Sequence, residues 1–574
     1  MAEILEFSWY DYGMFGLILT VSALIGVYFG FVRKQTTSSD YLHGGKKMSA
    51  VPISISLIAS ILSGITLLVI PVDVYSYGIT YWFSVPMLIL TNIITYTVYM
   101  PVFYELQVTS TFEYLKYRFD VTVSSFASVV FTISQLLYLP IVIYVPALAL
   151  SRATGINIHI ITPIVCIVCI FYTSFGGLKA VVWTDVLQFT VMICSIIVVF
   201  YLGIAFTGGL TNIWEKSLKY GRLDVSADIT KRDTFWASLI GLSINWFTYF
   251  AYNQGFVQKC ISLPNYRAVK RAITIFAIGL IALMSISIFT GLIMFVKYWD
   301  CDPLLSGRII QPDELLPYYI MDIAREVPGL PGLFTAGIFS AALSTLSAVI
   351  NCLCASIYED FISRYITKGT SQKTISNYLK VLAIIIGTIT TILVYIVPYL
   401  GNLLPVCVSI GSIAGGTLLG LYTSAVLIPA INAKGALYGG IASMIFVIWI
   451  VFGAQYYRSV KVITYPTLPI GIDGCQNFTL ANTTVEYTPH YQKPSDTPFI
   501  LYRITFYYYT LLGVLVSITV GLIISKLTPQ YNKPVRKKYF SPVIRKFLKD
   551  ADAVPPAYDY LVQVGKTSEE DEEL

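Results

Sequence analysis

Two short stretches carry residue types that could do chemistry at membrane depth. The first reads Ser56-Leu57-Ile58-Ala59-Ser60-Ile61-Leu62-Ser63-Gly64-Ile65-Thr66, with Pro71 and Asp73 following. Small and hydroxylated residues crowd its middle, and Pro71 with Asp73 is expected to stop the helix. The second is Ala341-Ala342-Leu343-Ser344-Thr345-Leu346-Ser347. A helical carbonyl points toward the side chains three and four positions later, so the oxygens of Ala341, Ser344 and Thr345 converge. Carbonyls freed at a helix break, those of Ala59 and Leu62, would complete a set of hard neutral oxygens. Such a set suits a small monovalent cation rather than zinc or copper. The competing reading is that these hydroxyls bond back to their own helices and only allow close packing.

Catalysis has no comparable support. The histidines, His43, His159 and His490, fall in loops or at span ends, and no H-E-x-x-H, G-x-S-x-G or paired intramembrane carboxylate occurs. Enzyme readings therefore lack residues to carry them. Cys166 and Cys169 spell C-x-x-C, but mid-span and without His or carboxylate neighbours they read as small hydrophobes. Basic residues are scattered through short loops rather than gathered in a patch, which argues against a nucleic-acid partner.

The elements that must position these residues are membrane spans. Of 574 residues, 56% are hydrophobic and 12% charged, and the net charge is +6. The mean hydropathy of +0.70 points to an integral membrane protein. Apolar runs of about 20 residues favour helices over a barrel. They lie near 10–32, 51–70, 79–104, 121–150, 158–175, 181–206, 234–254, 272–298, 329–357, 376–399, 403–429, 434–454 and 499–525, thirteen in all. The N-terminus is acidic and lacks a basic n-region, so the first run is expected to stay in the membrane.

The hydrophilic loop 455–498 holds the sequons Asn477-Phe478-Thr479 and Asn482-Thr483-Thr484, which place it outside as a glycosylated segment. Counting back puts the N-terminus outside and the C-terminus inside. The basic groups Arg33, Lys34, Lys46 and Lys47, then Lys259, Arg267, Lys270 and Arg271, fall in loops on the inner side. Loop 207–233 is basic on the outer side but mixed with acids. Cys301 and Cys475 are then the two cysteines in external loops and are expected to pair, the alternative being two free thiols. From about 526 the chain loses its apolar character and reads as a disordered cytoplasmic tail, 526–574. In it Pro555-Pro556-Ala557-Tyr558 is a P-P-x-Y, the kind of segment that docks the WW domains of ubiquitin ligases.

Four further strings are specific: Tyr172-Thr173-Ser174-Phe175-Gly176-Gly177-Leu178-Lys179-Ala180-Val181-Val182-Trp183-Thr184-Asp185, Thr109-Ser110-Thr111-Phe112-Glu113-Tyr114, Asn253-Gln254-Gly255-Phe256-Val257-Gln258 and Gly415-Gly416-Thr417. In them the chain resembles the sodium/solute symporters, in particular the animal branch of monocarboxylate, multivitamin and iodide transporters. The resemblance implies an all-α leucine-transporter-type fold: two inverted five-helix repeats over 51–430, one helix before them within 1–50 and two after, over 431–525. It implies a main sodium site of Ala59, Leu62, Ala341, Ser344 and Thr345. It also implies a second sodium or substrate position near Ser63, Thr66, Gln135 and Tyr144. Two departures bear on the substrate. Where this branch has glycine and arginine around the helix break, the chain has Val69 and Ser76, and Thr66 replaces the glutamine of the iodide transporter. Asp73, Glu113 and Asp185 each read either as gating contacts to Lys or Arg or as helix caps.

The function so implied is sodium-coupled import of a small organic anion, a monocarboxylate or vitamin-like acid, across the plasma membrane by alternating access. The rival is a sodium or solute sensor that does not accumulate substrate.

Overall fold

The computed structural model describes residues 7–32, 48–228, 231–324, 327, 329–363, 366, 370–400, 403–460, 462–475, 498–529 and 535–548. Among them the chain is helical without strands. Helix α1 (Trp9–Val27) precedes a pair, α2 (Ala50–Ile61) and α3 (Gly64–Tyr77), that meet at 56°. There follow α4 (Ser84–Ile94), the short α5 (Thr111–Arg118), α6 (Val121–Thr154), α7 (Ile158–Phe206), α8 (Ser243–Ala251), α9 (Gln254–Ile261) and α10 (Tyr266–Tyr298). The rest are α11 (Leu330–Ile357), α12 (Gln372–Leu393), α13 (Leu403–Leu427), α14 (Ala433–Ser459) and α15 (Tyr509–Leu527).

Among the described residues ten helices are long and apolar enough to cross a membrane, and the bent α2–α3 pair, taken as one span, makes an eleventh. At 1.5 Å per residue the 49 residues of α7 would reach about 70 Å, more than twice the hydrocarbon thickness. The chain avoids this at Gly177, whose φ of 53° and ψ of −160° break α7 into two crossings. That conformation is essentially closed to residues with a Cβ. With α8 and α9 read as one interrupted crossing, the total is the thirteen expected from hydropathy.

Burial ranks the helices. In α11, 89% of the apolar window is buried, against 17% in α1. Around α11 pack α1, α2, α6 and α7. At Gly337 a Cβ would lie 2.2 Å from Ser195 Oγ of α7, so only glycine allows this approach. Asp11 of α1 caps the start of α11, its Oδ1 accepting from the Gly332 amide at 2.7 Å. Helices α13, α14 and α15 pack together at the periphery.

On the side where α3 ends, Cys301 and Cys475 form a disulfide. It ties the turn after α10 to segment 462–475, which also bonds through Gly471 N to Trp299 O (3.0 Å) and Leu468 N to Ser76 O (2.9 Å). The closed loop spans 174 residues. Cys301→Ser/Cys475→Ser is expected to lose about 2–4 kcal/mol, read as a lower thermal midpoint of the purified protein. An unchanged midpoint would mean that the backbone bonds alone hold this lid.

Two expectations are corrected. Pro71 does not stop the helix: α3 runs through it to Tyr77, and the break falls at Leu62–Ser63. The stretch after 526 is not uniformly without structure. Phe540 and Ser541 are 2% and 0% exposed, with Tyr114 Oη donating to Tyr539 O at 2.9 Å and the Arg118 guanidinium 4.6 Å from the Phe540 ring centre. One buried aromatic anchors a stretch whose average composition is polar. The sequons at Asn477 and Asn482 and the motif of Pro555, Pro556 and Tyr558 lie outside the described residues.

Candidate functional site

The break between α2 and α3 is made by hydrogen bonds that leave the helix ladder. Leu62 (ψ 87°) and Ser63 (ψ 169°) are extended. The Ser63 amide donates to Ile61 O at 3.0 Å, and the Thr66 amide turns to Ser63 Oγ at 3.5 Å. These are the amides that would close onto the carbonyls of Ala59 and Leu62 in an unbroken helix. Both carbonyls are therefore left for another partner, in residues 1% and 0% exposed.

Helix α11 faces this break with the second set of oxygens. Thr345 Oγ1 lies 3.0 Å from Ala341 O and 3.1 Å from Ser60 O, its one proton shared between the two carbonyls, and so bridges α11 to the last turn of α2. Ser344 Oγ donates to Asp185 Oδ1 at 2.6 Å. With its proton committed there, the lone pairs of Ser344 are left to accept. The structure thus gathers Ala59, Leu62, Ala341, Ser344 and Thr345 at one α2–α11 contact. The fit to sodium is good: the carbonyls freed at the break, the Ala341 carbonyl and oriented hydroxyls, all buried, with no soft ligand in the set.

Asp185, in the second half of α7, is fully buried. Its Oδ2 accepts from Ser56 Oγ at 2.5 Å and from Lys259 Nζ at 3.0 Å. Lys259 is not in a basic loop but inside α9, buried against α2 and α7. It lines a cavity that encloses about 570 Å³ of space between atoms, its open mouth included. Ser60, Gln135, Tyr138, Tyr249, Asn253 and Thr345 supply further polar lining. The cavity takes residues from α2 but none from α3, so it lies on the α2 side of the break.

Of the other expected positions, Ser63 and Thr66 stand together at the break, with Oγ and Oγ1 3.5 Å apart and Tyr138 Oη 3.4 Å from Ser63 Oγ. Gln135 lines the cavity below them. Tyr144 is buried elsewhere on α6 and is absent from the cavity wall. Asp73 near the end of α3 pairs with Arg232, both side chains 6% exposed, and the guanidinium lies 3.7 Å over the Tyr77 ring. Asp233, whose carboxyl burial pushes up to about 7, is a second counter-charge, its Oδ2 3.5 Å from Arg232 Nε. Glu113 instead acts as a cap, accepting from the Thr109 amide at 3.0 Å and from Tyr117.

Composition hid Lys259, Arg222 and Arg232, all assigned to solvated loops. Arg222 is fully buried and bonds Ser76 O and Pro469 O at 3.2 and 2.9 Å. Tyr75 donates to Asp302 at 2.5 Å on the same side. Together with Arg232–Asp73 these contacts seal the disulfide side while the cavity sits on the other.

A helix broken within its apolar length, freed carbonyls facing hydroxyls on a buried helix, and a cavity lined from the α2 side of the break fit an ion-coupled membrane carrier. The comparisons with known proteins agree. The description "Sodium:solute symporter family" matches residues 41–443. The sodium-coupled monocarboxylate transporter 2 of Mus musculus is 36% identical over 550 residues, 95% of this chain and 88% of that one. The sodium/iodide cotransporter of Homo sapiens is 34% identical over 542 residues, 91% and 84% of the two chains. Among solved structures, a Na+-coupled sialic acid symporter in a substrate-bound outward-open state covers 91% of this chain and 98% of its own. Its TM-score is 0.73 at 23% identity, a likeness of fold. The chain belongs to the sodium:solute symporter family. It is a sodium-coupled, multi-pass symporter and not an enzyme.

Proposed function

We propose that the chain imports a small organic anion, a monocarboxylate or vitamin-like acid, by alternating access. The observation that carries the substrate class is the 36% identity, over 95% of the chain, to a protein named a sodium-coupled monocarboxylate transporter. Sodium is held by the carbonyls of Ala59, Leu62 and Ala341 and the hydroxyls of Ser344 and Thr345, bracing α2 against α11. The anion binds beside the break, where Ser63, Thr66, Gln135 and Tyr138 offer neutral hydrogen-bond donors. Asp73 and Arg232 close the far gate.

The disulfide supports reading the sealed side as extracellular, with the N-terminus outside and the C-terminus in the cytoplasm of a plasma-membrane protein. The state described is then inward-facing. The P-P-x-Y of the tail is a docking site for a WW-domain ubiquitin ligase.

Energetics set what the symporter can achieve. At a membrane potential of about −60 mV and a tenfold gradient, one sodium releases roughly 2.8 kcal/mol. Carrying a monoanion inward costs about 1.4 kcal/mol of that. One sodium therefore supports roughly tenfold accumulation, and two support about a thousandfold.

The test is uptake of labelled lactate, butyrate, nicotinate, pantothenate, biotin, iodide and a sugar in cells expressing the chain, in sodium and in choline medium, with current recorded. Sodium-dependent uptake of an organic anion is expected. Current without uptake of any member would replace this reading with that of a sensor.

A further inference from the structure

Lys259 is charged in a place where charge is costly. Its side chain is 3% exposed. Its Nζ meets Ser60 Oγ at 2.5 Å, Asp185 Oδ2 at 3.0 Å and Ser56 O at 3.1 Å. A carboxylate, a hydroxyl and a backbone carbonyl are the oxygen types that receive a small monovalent cation. The ammonium stands where such a cation would stand.

This position is wired to the sodium site by shared residues. Ser60 gives its hydroxyl to Lys259 and its carbonyl to Thr345. Asp185 gives Oδ2 to Lys259 and Oδ1 to Ser344. Lys259 is also among the residues that line the cavity. The three oxygens use all three N–H donors of the ammonium and together form the neutral-plus-anionic oxygen set that a bound cation would also need.

We propose that Lys259 is a tethered cation: its ammonium holds the place beside Asp185 that an additional sodium ion would take, and so fixes the sodium count at one fewer than the oxygens alone would bind. The proposal rests on the sodium-site reading above. Its consequence is large, because each sodium given up lowers the attainable accumulation by roughly a hundredfold under the gradients just considered. Removing the ammonium leaves a buried carboxylate without a counter-charge, a state that must be relieved by recruiting a cation or a proton.

The experiment counts saturable sodium-22 ions per molecule of the purified full chain by scintillation proximity. Lys259→Met and Lys259→Gln are each expected to bind one more ion than the unaltered protein. Lys259→Met/Asp185→Asn is expected to return to the original number. An unchanged number in both single variants overturns the proposal, since the carboxylate is then relieved by a proton. Single variants that fail to fold even at molar sodium overturn it too, because a vacant cation place would be filled and rescued there. If the unaltered chain binds no sodium at saturation, the sodium-site assignment falls and the proposal with it.

Discussion

Thr345→Ala is expected to raise the sodium concentration for half-maximal uptake by tenfold or more, while maximal uptake at saturating sodium changes far less. The hydroxyl it removes is the bridge between α11 and α2, bonded at 3.0 Å to Ala341 O and at 3.1 Å to Ser60 O. A hydrogen bond or ligand contact to a charged partner is worth about 1.5–3 kcal/mol, and about 1.4 kcal/mol is a factor of ten in affinity. The loss falls on sodium because the other polar groups near the break, Ser63, Thr66 and Tyr138, are untouched. Thr345→Ser keeps the oxygen and is expected to stay within a few-fold of the unaltered chain. If the threonine merely bonded back along its own helix, deleting its hydroxyl would be nearly neutral. Unaltered sodium dependence in Thr345→Ala, at normal surface expression, would sink the site assignment.

What the sequence made legible is what local geometry determines. Ala341 and Thr345 are four residues apart on one helix, so their contact follows from the helical repeat alone. Apolar runs located the spans because each must satisfy its backbone internally, and the run boundary at 175–181 anticipated the break at Gly177. Charges that find partners across the fold were hidden. Lys259 and Asp185 are separated by 74 residues, and Arg232 and Asp73 by 159. A lysine near a span end reads as a solvated positive-inside residue until the packing shows it turned inward. The same limit hid Arg222, whose partners are backbone carbonyls that carry no sequence signal. The docking of Phe540 under Arg118 was missed because composition averages over a window and one anchoring aromatic does not change the average. Pro71 misled for a different reason. Proline breaks helices by removing one donor, but the neighbouring helices of a membrane bundle can satisfy the carbonyl it frees.

Arg232→Met is expected to shift the carrier toward the state open on the disulfide side by a hundredfold or more. Its guanidinium and the Asp73 carboxylate form a pair that is 6% exposed at either side chain, roofed by Tyr77. Removing one member of such a pair strands the other, at a cost of about 3–5 kcal/mol to the conformation that buries it. Opening that side rehydrates Asp73 and escapes the cost, so the penalty weighs on the sealed state alone. A ligand that binds the open state then shows an apparent affinity raised in proportion to that state's population. Half-saturation by sodium on the disulfide side should therefore fall, up to the point where the open state dominates. The opposite face supplies an independent readout. Val349 lines the cavity and is half-buried, so a Val349→Cys background offers a thiol there; its alkylation by a reagent added from that side should slow as the cavity closes, judged against the chain without that cysteine as the blank. Asp73→Asn/Arg232→Met, which removes both members of the pair and leaves Asp233 as the one carboxyl beside them, should recover a large part of both effects. This separates loss of the gate from loss of packing over Tyr77, since the double variant lacks the guanidinium too. If Arg232→Met at normal surface expression changes neither the sodium half-saturation nor the alkylation rate of Val349→Cys, the pair is a structural tie and the gate lies elsewhere, with Tyr75–Asp302 next to test.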